Sequence, residues 1–120
     1  ARFAQIDYDR EMALVAIECG SDGADHALGE VRAVADPDSR FADFAIVVAS
    51  GIKGRGLGQL LLQSLVNYCR NRGIGELRGE TLDGNLRMQS LARRLGFAVT
   101  SGSDLGTMDL RLALNPHEKA

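Results

Sequence analysis

The chain has 120 residues, 45% of them hydrophobic and 25% charged, with a net charge of −2 at pH 7. That is enough for one domain with its own core and no covalent staples. The charge is too balanced for a broad footprint on nucleic acid or a membrane surface, and no apolar run approaches a membrane span.

In chain order, Met12 to Ile17 is an apolar run of strand length, and Gly20-Ser-Asp-Gly23 supplies turn residues. Ala27 to Ala35 reads as a second strand. Asp36-Pro37-Asp38-Ser39 turns the chain into a third strand, Phe41 to Val48. Strands this close in sequence are expected to be antiparallel neighbours. The period then changes. Leu57, Leu61, Leu65 and Tyr68 recur near 3.6 residues with Leu60 beside them, while Gln63, Asn67, Arg70 and Asn71 face elsewhere, which predicts an amphipathic helix closed by Gly73. Glu76 to Leu82 is a strand. Met88, Leu91, Ala92 and Leu95 form a second helical stripe closed by Gly96, and Phe97 to Val99 is a short strand. From Met108 to Leu114 apolar and other residues alternate, a half-buried strand. The order β-β-β-α-β-α-β-β predicts an α/β (α+β) domain. Its sheet is mixed but mostly antiparallel, with one parallel pairing at the centre and helices on both faces.

The sharpest local feature is Lys53-Gly54-Arg55-Gly56-Leu57-Gly58 between a strand and the long helix. Glycines admit a ligand close to the backbone. A helix start offers unpaired N–H groups and the positive end of the dipole. Together they suit a phosphate, with Lys53 and Arg55 at the rim. A P-loop is absent, and Gln59 stands where a GxGxxG fingerprint needs its last glycine. Taken alone, the turn also fits a tight strand-to-helix connection.

The two cysteines, Cys19 and Cys69, have no CxxC partner and read as free thiols of a reducing cytosol. Ala1 to Arg10 is polar and of mixed charge, unlike a signal peptide. The chain lacks an initiator Met and is expected to be a piece of something longer. His26 and His117 have no metal-ligand partner at useful spacing, so no metal is expected.

In this context the glycine turn resembles the pyrophosphate loop of the GNAT superfamily, Gln/Arg-x-x-Gly-x-Gly/Ala, with Lys53 in place of the usual first residue. Asn85 and Leu95-Gly96-Phe97 match the second half, so the resemblance runs from about Met12 to Leu114. The family's first strand and first helix are not evident before Ala1, which suggests N-terminal truncation. Ile6-Asp7-Tyr8-Asp9-Arg10-Glu11-Met12, Val34-Ala35-Asp36-Pro37-Asp38 and Ala42-Asp43-Phe44-Ala45-Ile46-Val47-Val48 are similar to the acetyltransferase domain at the C-terminus of bacterial Pat-type protein lysine acetyltransferases. On that resemblance, residues 1–120 are a single GNAT domain, the C-terminal one of a larger protein. The co-substrate is acetyl-CoA, and the acceptor is a lysine ε-amine of a protein such as an acyl-CoA synthetase. An acyl-CoA-synthetase-like region of the same chain is a partner, and the location is cytoplasmic.

The resemblance also implies a site. Lys53, Gly54, Arg55, Gly56, Leu57 and Gly58 hold the pyrophosphate. The strand end Ile46, Val47 and Val48 pairs with the pantetheine arm, and Asn85 contacts that arm. Asp43 stands at the position of a proposed general base, one methylene shorter than the usual glutamate, which suggests a bridging water. Plain structural readings stand beside these. Ile46 to Val48 are core, Asp43 is an edge-strand charge, and Asn85 is a helix N-cap. The usual general-acid tyrosine position is Ala92. Tyr68 reads as core, and Tyr8 as a candidate for the substrate groove. Two other functions remain open: acetylation of a small amine or an N-terminus, and acyl-CoA sensing without turnover.

Overall fold

The computed structural model describes residues 2–48 and 56–114. Its strands are β1 (Arg2–Asp7), β2 (Glu11–Cys19), β3 (Asp25–Ala35), β4 (Phe41–Val48), β5 (Glu76–Leu82), β6 (Ala98–Ser101) and β7 (Thr107–Ala113). Helix α1 (Leu57–Asn71) lies between β4 and β5, and α2 (Leu86–Arg94) between β5 and β6. The strands form one sheet in the order β1-β2-β3-β4-β5-β7-β6. Only β4 and β5 are parallel; the other neighbours run antiparallel. The α+β class, the mixed sheet and the central parallel pair are those expected from the sequence.

Helix α1 buries Leu57, Leu61, Leu62, Leu65, Val66 and Cys69. The predicted stripe is therefore nearly right, but it is rotated toward Leu62 and Val66, and Leu60 stays half exposed. Gly73 follows α1 with φ 78°, the left-handed conformation expected of a residue closing a helix. On β4, Ala42 and Phe44 are buried, whereas Asp43, Ala45 and Val47 are exposed. The buried face of the sheet meets α1: a side chain at Gly29 would touch Leu61 and Leu57.

Helix α2 lies on that same face. Leu91 approaches Gly58 of α1, Leu112 of β7 approaches Gly96 just after α2, and the ring of Phe97 packs 5.7 Å from that of Phe44. The expected placement of helices on both faces is thus corrected among the described residues. The reason is topological. The crossovers β4-α1-β5 and β5-α2-β6 both step the same way along the sheet, and two right-handed crossovers in one direction put both helices on one side.

A second correction concerns the start of the chain. No strand was expected before Met12, yet β1 pairs with β2 from Arg2↔Ile17 to Asp7↔Met12. All but one of its side chains are exposed, so the backbone ladder rather than apolar burial defines it. A hydrophobic pattern cannot reveal such a strand.

Both cysteines are free, Cys19 exposed and Cys69 fully buried on the inner face of α1. Burial pushes the Cys69 thiol up to about 11. Iodoacetamide at pH 8 should therefore label Cys19 in the native protein and spare Cys69 until denaturant is added. Mass spectrometry showing equal labelling of both under native conditions would contradict this packing.

Candidate active site

The parallel pair holds the feature of interest. Strands β4 and β5 are in register only at Phe41↔Glu76, Ala42↔Leu77 and Asp43↔Arg78. Beyond that rung both continue, β4 to Val48 and β5 to Leu82, without pairing to each other. On their other sides β4 keeps its ladder with β3 as far as Gly29↔Val48, and β5 keeps its ladder with β7 to Leu82↔Thr107. Among the described residues, the facing edges of 44–48 and 79–82 thus carry backbone donors and acceptors with no strand partner. Such edges pair readily with an extended chain of amide groups.

The opening is wedged from the helical side. A side chain at Gly79 would lie 2.4 Å from Cε1 of Phe44, whose ring is backed by Phe97. Gly79 is therefore glycine because the Phe44 ring occupies its place, between β4 and β5 where they part. Phe97 leaves that ring little room to retreat. Gly79→Ala should cost about 1–3 kcal/mol through overpacking, read as a fall of the melting temperature by several degrees. An unchanged melting temperature would show that the ring does not hold the strands apart.

Helix α1 starts at the same end of the sheet, where β4 finishes. Its N-cap is Gly56 with φ 79° and ψ 3°, no side chain caps the helix, and no acidic residue stands in its first turn. The first intrahelical bond runs from Leu60 N–H to the Gly56 carbonyl. The N–H groups just ahead of it have no helical acceptor, and neither a capping side chain nor a first-turn acid offsets the dipole's positive end. A side chain at Gly58 would meet Leu91 at an ordinary 3.4 Å. Nothing in the described chain thus demands glycine there. Ile46, Val47 and Val48 form the adjoining strand end, Val47 pointing to the open face at 69% exposure. Lys53, Gly54 and Arg55 lie outside the described residues, as does His117.

Asp43 sits on the last β4–β5 rung and points to the helix-free face of the sheet, as its alternation with Phe44 predicts. An open groove of about 330 Å³ begins there, lined by Asp43, Arg78, Glu80, Asp109 and Arg111 over the backbone of Phe44, Gly79 and Leu110. Sequence reasoning missed Gly79 and the four charged residues across β5 and β7. In the sequence, the polar positions of β7 look only like the wet side of a half-buried strand.

Other expected residues do different work. The Asn85 side chain caps α2, accepting from the Met88 N–H at 3.1 Å. Ala92 is fully buried. Tyr68 packs against the core but is not wholly inside it: its hydroxyl donates to Asp7 at 2.7 Å. Burial and that bond push its phenol up to about 12, which disfavours a proton-donor role. Tyr8 lies in the β1–β2 turn, 59% exposed and outside the groove at Asp43. His26 contacts Asp22 at 3.2 Å on the surface. Among the described residues no group of three or more His, Cys, Asp or Glu could hold a metal ion.

Solved structures share this fold. The GNAT domain of S. lividans PAT has a TM-score of 0.74 at 23% identity, over 90% of this chain and 64% of that one. The structure of yncA from Salmonella typhimurium with its cofactor acetyl-CoA has a TM-score of 0.72 at 22% identity, over 89% of this chain and 66% of that one. The chain belongs to the acetyltransferase (GNAT) family, whose profile matches residues 2–97. Among curated relatives, acetyltransferase PA5475 of Pseudomonas aeruginosa is 30% identical over 91% of this chain and 59% of its own length. Streptothricin acetyltransferase of Streptomyces lavendulae is 35% identical over 66% of this chain and 52% of its own length. The chain thus spans little more than half the length of these relatives.

Proposed function

We propose that this domain is an acetyl-CoA-dependent N-acetyltransferase. One observation carries the reading: the unpaired edges of β4 and β5 open beside the uncapped start of α1. In that arrangement the N–H groups at Gly56, Leu57 and Gly58, with Lys53, Gly54 and Arg55 before them, take the pyrophosphate. Ile46, Val47 and Val48 pair with the amide-bearing pantetheine arm as a strand would. The Asn85 oxygen is committed to its cap, so its contact with the arm runs through the side-chain NH2 group. Acetyl-CoA supplies an acyl thioester. The acceptor nitrogen forms the new N–C bond as the C–S bond breaks, and the sulfur leaves as a thiolate that takes a proton from water. Asp43 receives the proton shed by the acceptor ammonium, through a bridging water because its side chain is short. A backbone N–H of the free β4 edge polarises the carbonyl.

The acceptor we infer is a lysine ε-amine of a protein, with a synthetase-like region of the same polypeptide as a further partner and the cytoplasm as its setting. The three ordered motifs around Asp7, Asp36 and Asp43 support this, as does the fold shared with the PAT domain. A small-molecule amine is the second reading, favoured by the relative that acts on streptothricin. Labelled acetyl-CoA offered with candidate acyl-CoA synthetases, and separately with streptothricin, tests the choice. Label mapped to one lysine supports the first reading. Transfer to streptothricin alone selects the second, and CoA binding with no transfer to any amine leaves an acyl-CoA sensor.

A further inference from the structure

The groove beside Asp43 carries a charge pattern that the reaction itself does not require. On the open face, the rung holding Asp43 continues as Arg78 on β5 and Arg111 on β7, two arginines directly opposite each other. The next outward-facing pair is Glu80 and Asp109, two carboxylates directly opposite each other. Like charges placed so oppose pairing. The arginine row has only one internal neutralisation. Arg78 is held by Glu76 at 2.5 Å, with its guanidinium 3.9 Å over the Phe41 ring. Among the described residues, no hydrogen bond or ion pair engages the Arg111 side chain, which is exposed in the groove.

We propose that Arg111 reads an anionic group on the acceptor, so that the enzyme selects amines carrying a carboxylate close to the reacting nitrogen. The inference rests on the acetyltransferase reading. With the amine where β4 and β5 part, between Asp43 and Glu80, β7 lies one strand further across. Strand spacing then sets the acceptor's carboxylate roughly 5–10 Å from its nitrogen. A guanidinium takes a carboxylate in a two-pronged, charge-assisted contact. Glu80 and Asp109 favour the cationic end of the same acceptor and disfavour a carboxylate placed on the wrong side. Arg78 is already committed, so it screens the groove without supplying the second contact. An acidic residue beside a lysine in a protein meets this description, and so does free lysine reacting at its ε-amine with its own carboxylate; a polyamine does not.

Steady-state acetyl transfer tests this with four acceptors: a lysine peptide flanked by glutamate, the same peptide flanked by lysine, Nα-acetyl-lysine, and its neutral amide. The wild type should favour the first over the second if protein acid is read, and the third over the fourth if a free carboxylate is read. Arg111→Ala should raise KM for the favoured acceptor about tenfold to a hundredfold, the range of one charge-assisted bond. Its kcat, and all constants for the neutral amide, should barely change, and Arg111→Lys should recover part of the loss. Equal use of acidic and neutral acceptors, or equal losses for both in Arg111→Ala, overturns this inference alone. No transfer to any amine overturns the enzyme reading and this inference with it.

Discussion

Gly56→Glu should abolish measurable binding of CoA and acetyl-CoA while the protein stays folded. Gly56 has φ 79°, and a side chain built on it meets nothing within 4 Å among the described residues. The substitution therefore costs the strain of a left-handed residue, about 1–2 kcal/mol, partly offset by an acidic group at the positive end of a helix dipole, about 0.3–1 kcal/mol. Its effect on an incoming pyrophosphate is larger. Two like charges about 4 Å apart near a protein surface repel by roughly 4 kcal/mol, close to a thousandfold in affinity. Gly56→Ala carries the same strain without the charge and separates the two effects. Calorimetry should show weakened binding for the alanine variant and none for the glutamate variant. Full affinity in Gly56→Glu would mean that the start of α1 is not the anion site.

Much of this fold is written in local patterns. Strands β2, β4 and β7 announce themselves by apolar runs or alternation, and α1 and α2 by their stripes, because each buries one face against the same core. Two features were not legible, for different reasons. Strand β1 buries almost nothing, so its residues carry no periodic signal. The shared face of the helices follows from the direction of two crossovers, a property of topology rather than of any window of sequence.

The site divides in the same way. The glycine turn stands out because its residues are adjacent in sequence, and Asp43 stands out through the family resemblance of its strand. The wedge of Phe44 over Gly79, and the row of Asp43, Arg78 and Arg111, bring together residues from three strands. Such neighbours become visible only when register is known. Asn85 was read both ways, and the cap it makes to Met88 accounts for its presence without a ligand. The fold also accounts for two positions where a phenol could have been sought. The usual tyrosine position is Ala92, packed inside, and the Tyr68 hydroxyl is bound to Asp7.

Asp43→Asn should lower the acetyl-transfer rate at neutral pH by about 10²–10⁴-fold, the usual range for a lost general base. A lysine amine has a reference pKa of about 10.4, so it reaches the site charged and unreactive. Its proton must leave before or as nitrogen attacks. Asp43 is the one carboxylate on β4, it stands on the last rung before the strands part, and it faces the open groove rather than the core. Asparagine keeps its size and its place on the strand while removing the charge, so packing and CoA affinity should barely move. Loss of kcat with unchanged CoA binding would then locate the defect in proton removal. The sign of the pH dependence follows. Raising the pH supplies more neutral amine from solution, so the variant should recover activity between about pH 8 and 10, and its deficit against the wild type should narrow. Glu80, across the gap on β5, is the alternative acceptor of the proton, and Glu80→Gln is the matching control. If Asp43→Asn keeps near-wild-type turnover at pH 7 while Glu80→Gln loses it, the base belongs to β5 and Asp43 is an edge-strand charge. If both keep it, solvent water takes the proton unaided.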